Sequence, residues 1–147
     1  MLSTSKLDKL RLIVAALWSG NLLTVGYMVA PTLFTTLQDR ALAGTIAGSM
    51  FAVQFWCSLV LGALMLVLLT RLPRQQRTLP SVLTVLILMC TLISHLGLQP
   101  EMAALRAQAG PILQGAAQSR FAILHGISAS LYLLQSIAAL FLLWRLA

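Results

Sequence analysis

His125, Ser128, Tyr132, Gln135 and Ser136 recur at spacings of three and four inside one apolar stretch. At 100° per residue they share a single arc of about 100° on a helix. Asn21 and Thr24 make a matching stripe near the N-terminus, with Gly20 and Tyr27 at its edge. Lipid penalises polar groups, so such residues mark either function or hydrogen bonds between helices. One reading is an interhelical cluster, each contact contributing about 0.6 kcal/mol. The other is a polar cavity or substrate path lined by Asn21, Gln54, Tyr132 and Gln135. On that reading a small molecule is held by Asn21, Tyr27, His125, Tyr132 and Gln135.

The two histidines carry a second possible chemistry. His95 is three residues from the outer end of one apolar run, and His125 is four residues into the next. Antiparallel helices place both within roughly 5 Å of the same membrane boundary. Two neutral imidazoles at one depth can ligate haem iron, copper or zinc, with Tyr27, Met28 and Cys57 as neighbours. Without a third ligand or a spacing motif, each can equally bond water, a carbonyl or a headgroup. No cofactor is favoured, and His95 with His125 stands as the metal or b-type haem alternative. Cys57 and Cys90 lie in apolar runs without CxxC or CxxCH, and read as small hydrophobes.

What must position these residues is set by composition. The chain has 147 residues, 59% hydrophobic and 9% charged, with mean hydropathy +0.92. Soluble domains have about 25% charged residues, so an ordinary soluble enzyme, a disordered chain and a disulfide-knotted secreted domain are excluded. Four apolar runs stand out: Leu12–Ala30 ended by Pro31, Phe51–Thr70, Pro80–Leu98 with Pro80 in the first turn, and Phe121–Trp144. Each is about 20 residues, enough to cross a hydrocarbon core of about 30 Å as a helix. The expectation is an all-α single domain over 1–147, an integral membrane bundle of four antiparallel transmembrane helices. The basic start, MLSTSKLDKLRL, leads into a run too long for a signal peptide, which predicts a retained span.

Charge fixes the expected orientation. Lys6, Lys9, Arg11, Arg71, Arg74, Arg77 and Arg145 flank one side, and Arg40, Arg106 and Arg120 flank the other. The positive-inside rule predicts both termini in the cytoplasm, N-in and C-in. Trp144 beside Arg145 reads as an inner anchor. The net charge of +7 is thereby a topological signal. No basic stripe interleaved with aromatics suggests nucleic acid. Asp39 is a good N-cap, so the second helix is expected to begin near Arg40. Glu101–Arg106 reads as a short amphipathic helix, broken at Gly110-Pro111. Gly44 and Gly48, like Gly126 and Ser130, form small-xxx-small pairs suited to close helix packing. No internal repeat is evident.

Four stretches together resemble a known family: ALWSGNLLTVGYMVAPTLF (16–34), DRALAGTIAGSMF (39–51), GLQPEMAALR (97–106) and FAILHGISASLYLLQ (121–135). The resemblance is to an uncharacterised family of bacterial four-helix membrane proteins, related to eukaryotic transmembrane protein 205. It implies a multi-pass protein of the bacterial inner membrane and carries no biochemical activity. Pro31, Gly44, Gly48, Gln99, Pro100, His125, Tyr132 and Gln135 fall on the matching stretches.

Without intramembrane Asp, Glu, Lys or central Arg, a proton-driven pump or voltage sensor is disfavoured. Without a Ser/His/Asp, Walker or HExxH constellation, catalysis has no support. The expectation is a non-enzymatic inner-membrane protein. It would bind a small molecule between helices or serve as an accessory subunit of a membrane partner. The alternatives are the metal or haem protein above and a small-solute transporter assembled as a homo-oligomer.

Overall fold

The computed structural model describes residues 4–109 and 115–147, and those residues form helices with no strand. The elements are α1 (Thr4–Leu23), a π turn (Thr24–Val29), α2 (Ala30–Thr36), α3 (Arg40–Leu69), α4 (Arg74–Leu92), a second π turn (Ile93–Leu98), α5 (Gln99–Ala109) and α6 (Gly115–Leu146). They join into four rods, Ser5–Thr36, Arg40–Leu69, Arg74–Ala107 and Gly115–Leu146, each long and apolar enough to cross a membrane. The protein is therefore a multi-pass membrane protein. The rods outrun the apolar stretches because the helical ladder continues into flanking polar sequence. At 1.5 Å per residue, 30 residues cover about 45 Å, the bilayer including its headgroups.

Asp39 starts α3 as expected. Its carboxylate accepts from the Ala41 and Leu42 amides at 2.9 and 3.0 Å, which satisfies two otherwise orphaned donors. The Gly110-Pro111 break lies outside the described residues.

The prolines behave differently from expectation. Pro31 does not end the first helix, which continues to Thr36. Pro80 lies inside α4 rather than in its first turn, because α4 begins at Arg74. A helical proline lacks its N–H and crowds the carbonyl four residues back. The chain adapts at Pro31 and Pro100 by widening into a π turn just before each one. The Ala30 amide donates to the Val25 carbonyl and the Gln99 amide to the Ser94 carbonyl, five residues back in both cases. One device is thus used twice, in the first and third rods. Pro80 has no π turn before it; Thr84 Oγ1 donates to its carbonyl at 2.8 Å.

α1 packs on α3 and α6, and α4 packs on the same two, so α1 and α4 are diagonal partners. Val14, Trp18 and Leu22 of α1 meet Met65 and Leu69 of α3, Leu83 and Ile87 of α4, and Ala138, Ala139 and Leu142 of α6. Lipid tails are as apolar as these side chains, so tight packing and hydrogen bonds hold the helices together. Gly62 lets α3 approach α4: a Cβ there would stand 2.6 Å from Leu88 Cδ2. Leu17, Val60, Val67 and Ile137 point outward and are exposed, the side that lipid would cover.

The main core cluster fills the half of the bundle that holds both termini, here the terminal end, while Ala43 and Ala47 of α3 and Met102 of α5 are buried toward the far end. Neither π turn nor α2 contains a buried residue, and α6 buries none before Gln135. Toward the far end α2 leans on α3, while α6 leans on α5 and the second π turn. The first and fourth rods, which pack together through α1, part beyond Tyr132.

Candidate functional site

Buried polar side chains gather where the tight half of the bundle gives way to the open half. α1 supplies Trp18 and Ser19, α3 supplies Gln54 and Ser58, α4 supplies Thr91, and α6 supplies Gln135 and Ser136, all buried. Asn21 and Ser94 are half-buried in the same region of their rods. Helical spacing explains the gathering. Gln54 and Ser58, and Ser94 with Thr91, are four and three residues apart, so each pair shares a helix face.

Trp18 Nε1 donates to Ser58 Oγ at 3.0 Å, and Gln54 Nε2 donates to the same oxygen at 2.8 Å. That pins α1 to α3. Thr91 Oγ1 lies 2.9 Å from Gln135 Oε1 and 2.8 Å from its own helix's Ile87 carbonyl, so one proton serves two acceptors and ties α4 to α6. Ser19 Oγ donates to the Ala139 carbonyl at 3.1 Å. Ser136 Oγ turns back to the Tyr132 carbonyl at 2.7 Å.

Tyr132 closes the layer toward the open half. Its hydroxyl donates to the Leu22 carbonyl at 2.7 Å. Its ring lies against Gly26 of the first π turn, where any Cβ would collide with it. Phe51 meets the same ring edge-on at 5.4 Å, and the half-exposed Tyr27 meets it at 6.0 Å.

Two buried atoms have no partner among the described residues: Asn21 Oδ1 and Ser94 Oγ. They sit on the two diagonal rods. Leaving such an atom unpaired costs about 1–3 kcal/mol, and buried polar groups are normally satisfied.

Of the residues expected to line a site, Asn21, Tyr132 and Gln135 take part in this layer and Tyr27 borders it. His125 does not: it is exposed on α6 and stacks on Phe121, one turn back on its own helix, at 6.1 Å. His95 is half-buried and stacks face to face on Phe55 of α3 at 3.8 Å. The two imidazoles therefore have different aromatic neighbours. Among the described residues no group of three or more His, Cys, Asp or Glu is placed to hold a metal ion. The polar arc is inward at Gln135 but has turned outward by His125, because α6 has parted from the first rod there while it still leans on α5 and the second π turn.

The small-residue pairs are placed as follows. The Gly44 carbonyl accepts from Arg106 Nη1 at 3.1 Å. Nothing lies within 4 Å of where a Cβ would stand on Gly48 or Gly126. Ser130 is exposed, and its hydroxyl donates to the Gly126 carbonyl of its own helix at 2.9 Å. Ser58, Thr91 and Ser94 are not singled out by sequence. The four-residue step from Gln54 to Ser58 was the one legible signal for them.

A family model described as a domain of unknown function, DUF4149, matches residues 13–111. The chain belongs to the DUF4149 family. The DUF4149 match takes in Asn21, Gln54, Ser58, Thr91 and Ser94, together with both π turns. Tyr132 and Gln135 lie beyond it, on α6. No curated protein and no solved structure matches the chain.

Proposed function

We propose that this DUF4149 protein is a non-enzymatic inner-membrane protein that binds a small, uncharged polar molecule at the layer around Asn21. The ligand enters between the first and fourth rods, where they part beyond Tyr132. The observation that carries this reading is the buried, unpartnered Asn21 Oδ1. Unlike the Ser94 hydroxyl, Asn21 Oδ1 has no proton of its own to give, so this acceptor, unpaired among the described residues, calls for an N–H or O–H from outside the chain. Asp, Glu, Lys and Arg are missing from the layer, so nothing there would stabilise a charged ligand in lipid. Both termini face the cytoplasm on the charge count, and kinship with transmembrane protein 205 is part of the same proposal.

The test is extraction of bound compounds from protein purified in mild detergent, followed by mass spectrometry. Wild type is compared with Asn21→Leu and Gln135→Leu. The reading expects one polar compound near stoichiometry in wild type and at least tenfold less in Asn21→Leu. If both variants fold and retain the same compounds as wild type, the reading fails.

A further inference from the structure

At the terminal end, a cavity of about 350 Å³ opens between the rods, bounded by Asp8 and Arg11 of α1, Leu72 of the α3–α4 turn, Gln76 and Pro80 of α4, and Arg145 and Leu146 of α6. This volume falls in the range of small-ligand sites, about 300–1,000 Å³. The cavity is separate from the polar layer and owes nothing to the reading of that layer.

Arg11 sets its chemistry. The side chain is only 2% exposed, and a buried charge has to be paired. Its Nε donates to the Leu68 carbonyl at 3.1 Å, and Nη1 pairs with the Asp8 carboxylate. Nη2 donates to no atom among the described residues. Asp8 is 56% exposed, so this partner sits at the rim and leaves one edge of the guanidinium fork free. Arg145 of α6 also lines the cavity, exposed and in no ion pair among the described residues. Gln76 adds an exposed amide from a third element. Two guanidinium groups outweigh the single carboxylate, and guanidinium pairs with phosphate through parallel N–H···O bonds. Leu72, Pro80 and Leu146 supply an apolar wall beside them.

Depth narrows the source of the phosphate. Trp144 is 71% exposed next to Arg145, and an exposed tryptophan near a span's end sits at headgroup level. Basic pockets between helices at that level take acidic lipid headgroups. We propose that this cavity binds a phosphate group, that of an anionic phospholipid headgroup, between Arg11, Gln76 and Arg145.

The experiment is thermal unfolding of the purified full chain in neutral detergent, titrated separately with phosphatidylglycerol, phosphatidylcholine and inorganic phosphate. The variants are Arg145→Gln, Gln76→Ala and, as a control outside the cavity on the same end, Arg74→Gln. Arg145→Gln spares the buried Arg11, whose replacement could unfold the chain. A charge-assisted bond contributes about 1.5–3 kcal/mol, so Arg145→Gln is expected to weaken phosphatidylglycerol binding roughly tenfold or more, with Arg74→Gln near wild type. Stabilisation by phosphatidylglycerol that inorganic phosphate does not compete away assigns the site to lipid. Competition by inorganic phosphate at the same residues keeps the phosphate site and makes its source soluble. Equal effects of phosphatidylglycerol and phosphatidylcholine with no effect of inorganic phosphate overturn the proposal. So does phosphatidylglycerol binding that Arg145→Gln leaves unchanged, or that Arg74→Gln weakens as much.

Discussion

Tyr132 lays its ring against the bare backbone of Gly26, and its hydroxyl donates to the Leu22 carbonyl one turn earlier. This contact joins the first and fourth rods at the point where the tight half of the bundle ends. It also explains the residue type at each position. Only glycine leaves room for the ring, and only a phenol reaches from α6 to the α1 backbone.

Gly26→Ala is therefore expected to destabilise by about 1–3 kcal/mol through overpacking. Tyr132→Phe keeps the ring and loses one hydrogen bond, about 1 kcal/mol. Thermal unfolding in detergent measures both. The order of the two effects is the check, since a ring that did not touch Gly26 would leave Gly26→Ala neutral.

Asn21→Leu and Gln135→Leu should separate in stability. Gln135 accepts from Thr91, so Gln135→Leu loses that bond and costs about 1 kcal/mol, while the Thr91 hydroxyl keeps its bond to the Ile87 carbonyl. Asn21 Oδ1 has no partner to lose, so Asn21→Leu is expected to leave ligand-free stability unchanged or to raise it. Denaturation of ligand-free protein decides, and a large loss from Asn21→Leu would give Asn21 a structural role instead.

Thr91→Val and Gln135→Leu form a double-mutant cycle across the α4–α6 contact. Thr91→Val leaves Gln135 Oε1 unpaired and Gln135→Leu removes the Thr91–Gln135 bond, whereas the double change removes both partners of that bond. The double variant should be less damaged than the sum of the two by about 0.5–3 kcal/mol. Additive losses would mean that the Thr91 hydroxyl spends its proton on the Ile87 carbonyl.

Arg106 ties elements at the far end, where Arg120 also pairs with Glu101. It donates to the Gly44 carbonyl and lies 5.4 Å over the Phe121 ring. Arg106→Ala should cost about 1–2 kcal/mol and speed amide hydrogen exchange in α5, with the terminal-end core unaffected. Uniform acceleration across the chain would show that the tie supports the whole bundle.

Pro31→Ala restores an N–H and removes the ring that crowds the Tyr27 carbonyl. The first π turn then loses its cause, and amides 24–30 should exchange more slowly as an α-helical ladder forms. Unchanged exchange there would show that the Tyr132 ring against Gly26, rather than the proline, holds the turn open.

The sequence by itself determined the four spans, because runs of about 20 apolar residues have no soluble alternative. It also determined the Asp39 cap, which needs only a carboxylate ahead of a helix, and the inward face at Tyr132 and Gln135, which follows from local periodicity. Tertiary structure decided the rest. Which way His125 turns depends on α6 parting from the first rod beyond Tyr132. Whether Pro31 and Pro100 end a helix or bend its ladder depends on neighbouring rods that hold each chain segment in line. The partnerships of Ser58, Thr91 and Arg11 join residues far apart in the chain, and the absence of a partner for Asn21 appears only when every neighbour is in place. Helix periodicity is a property of consecutive residues; hydrogen-bond satisfaction in lipid is a property of the assembled bundle.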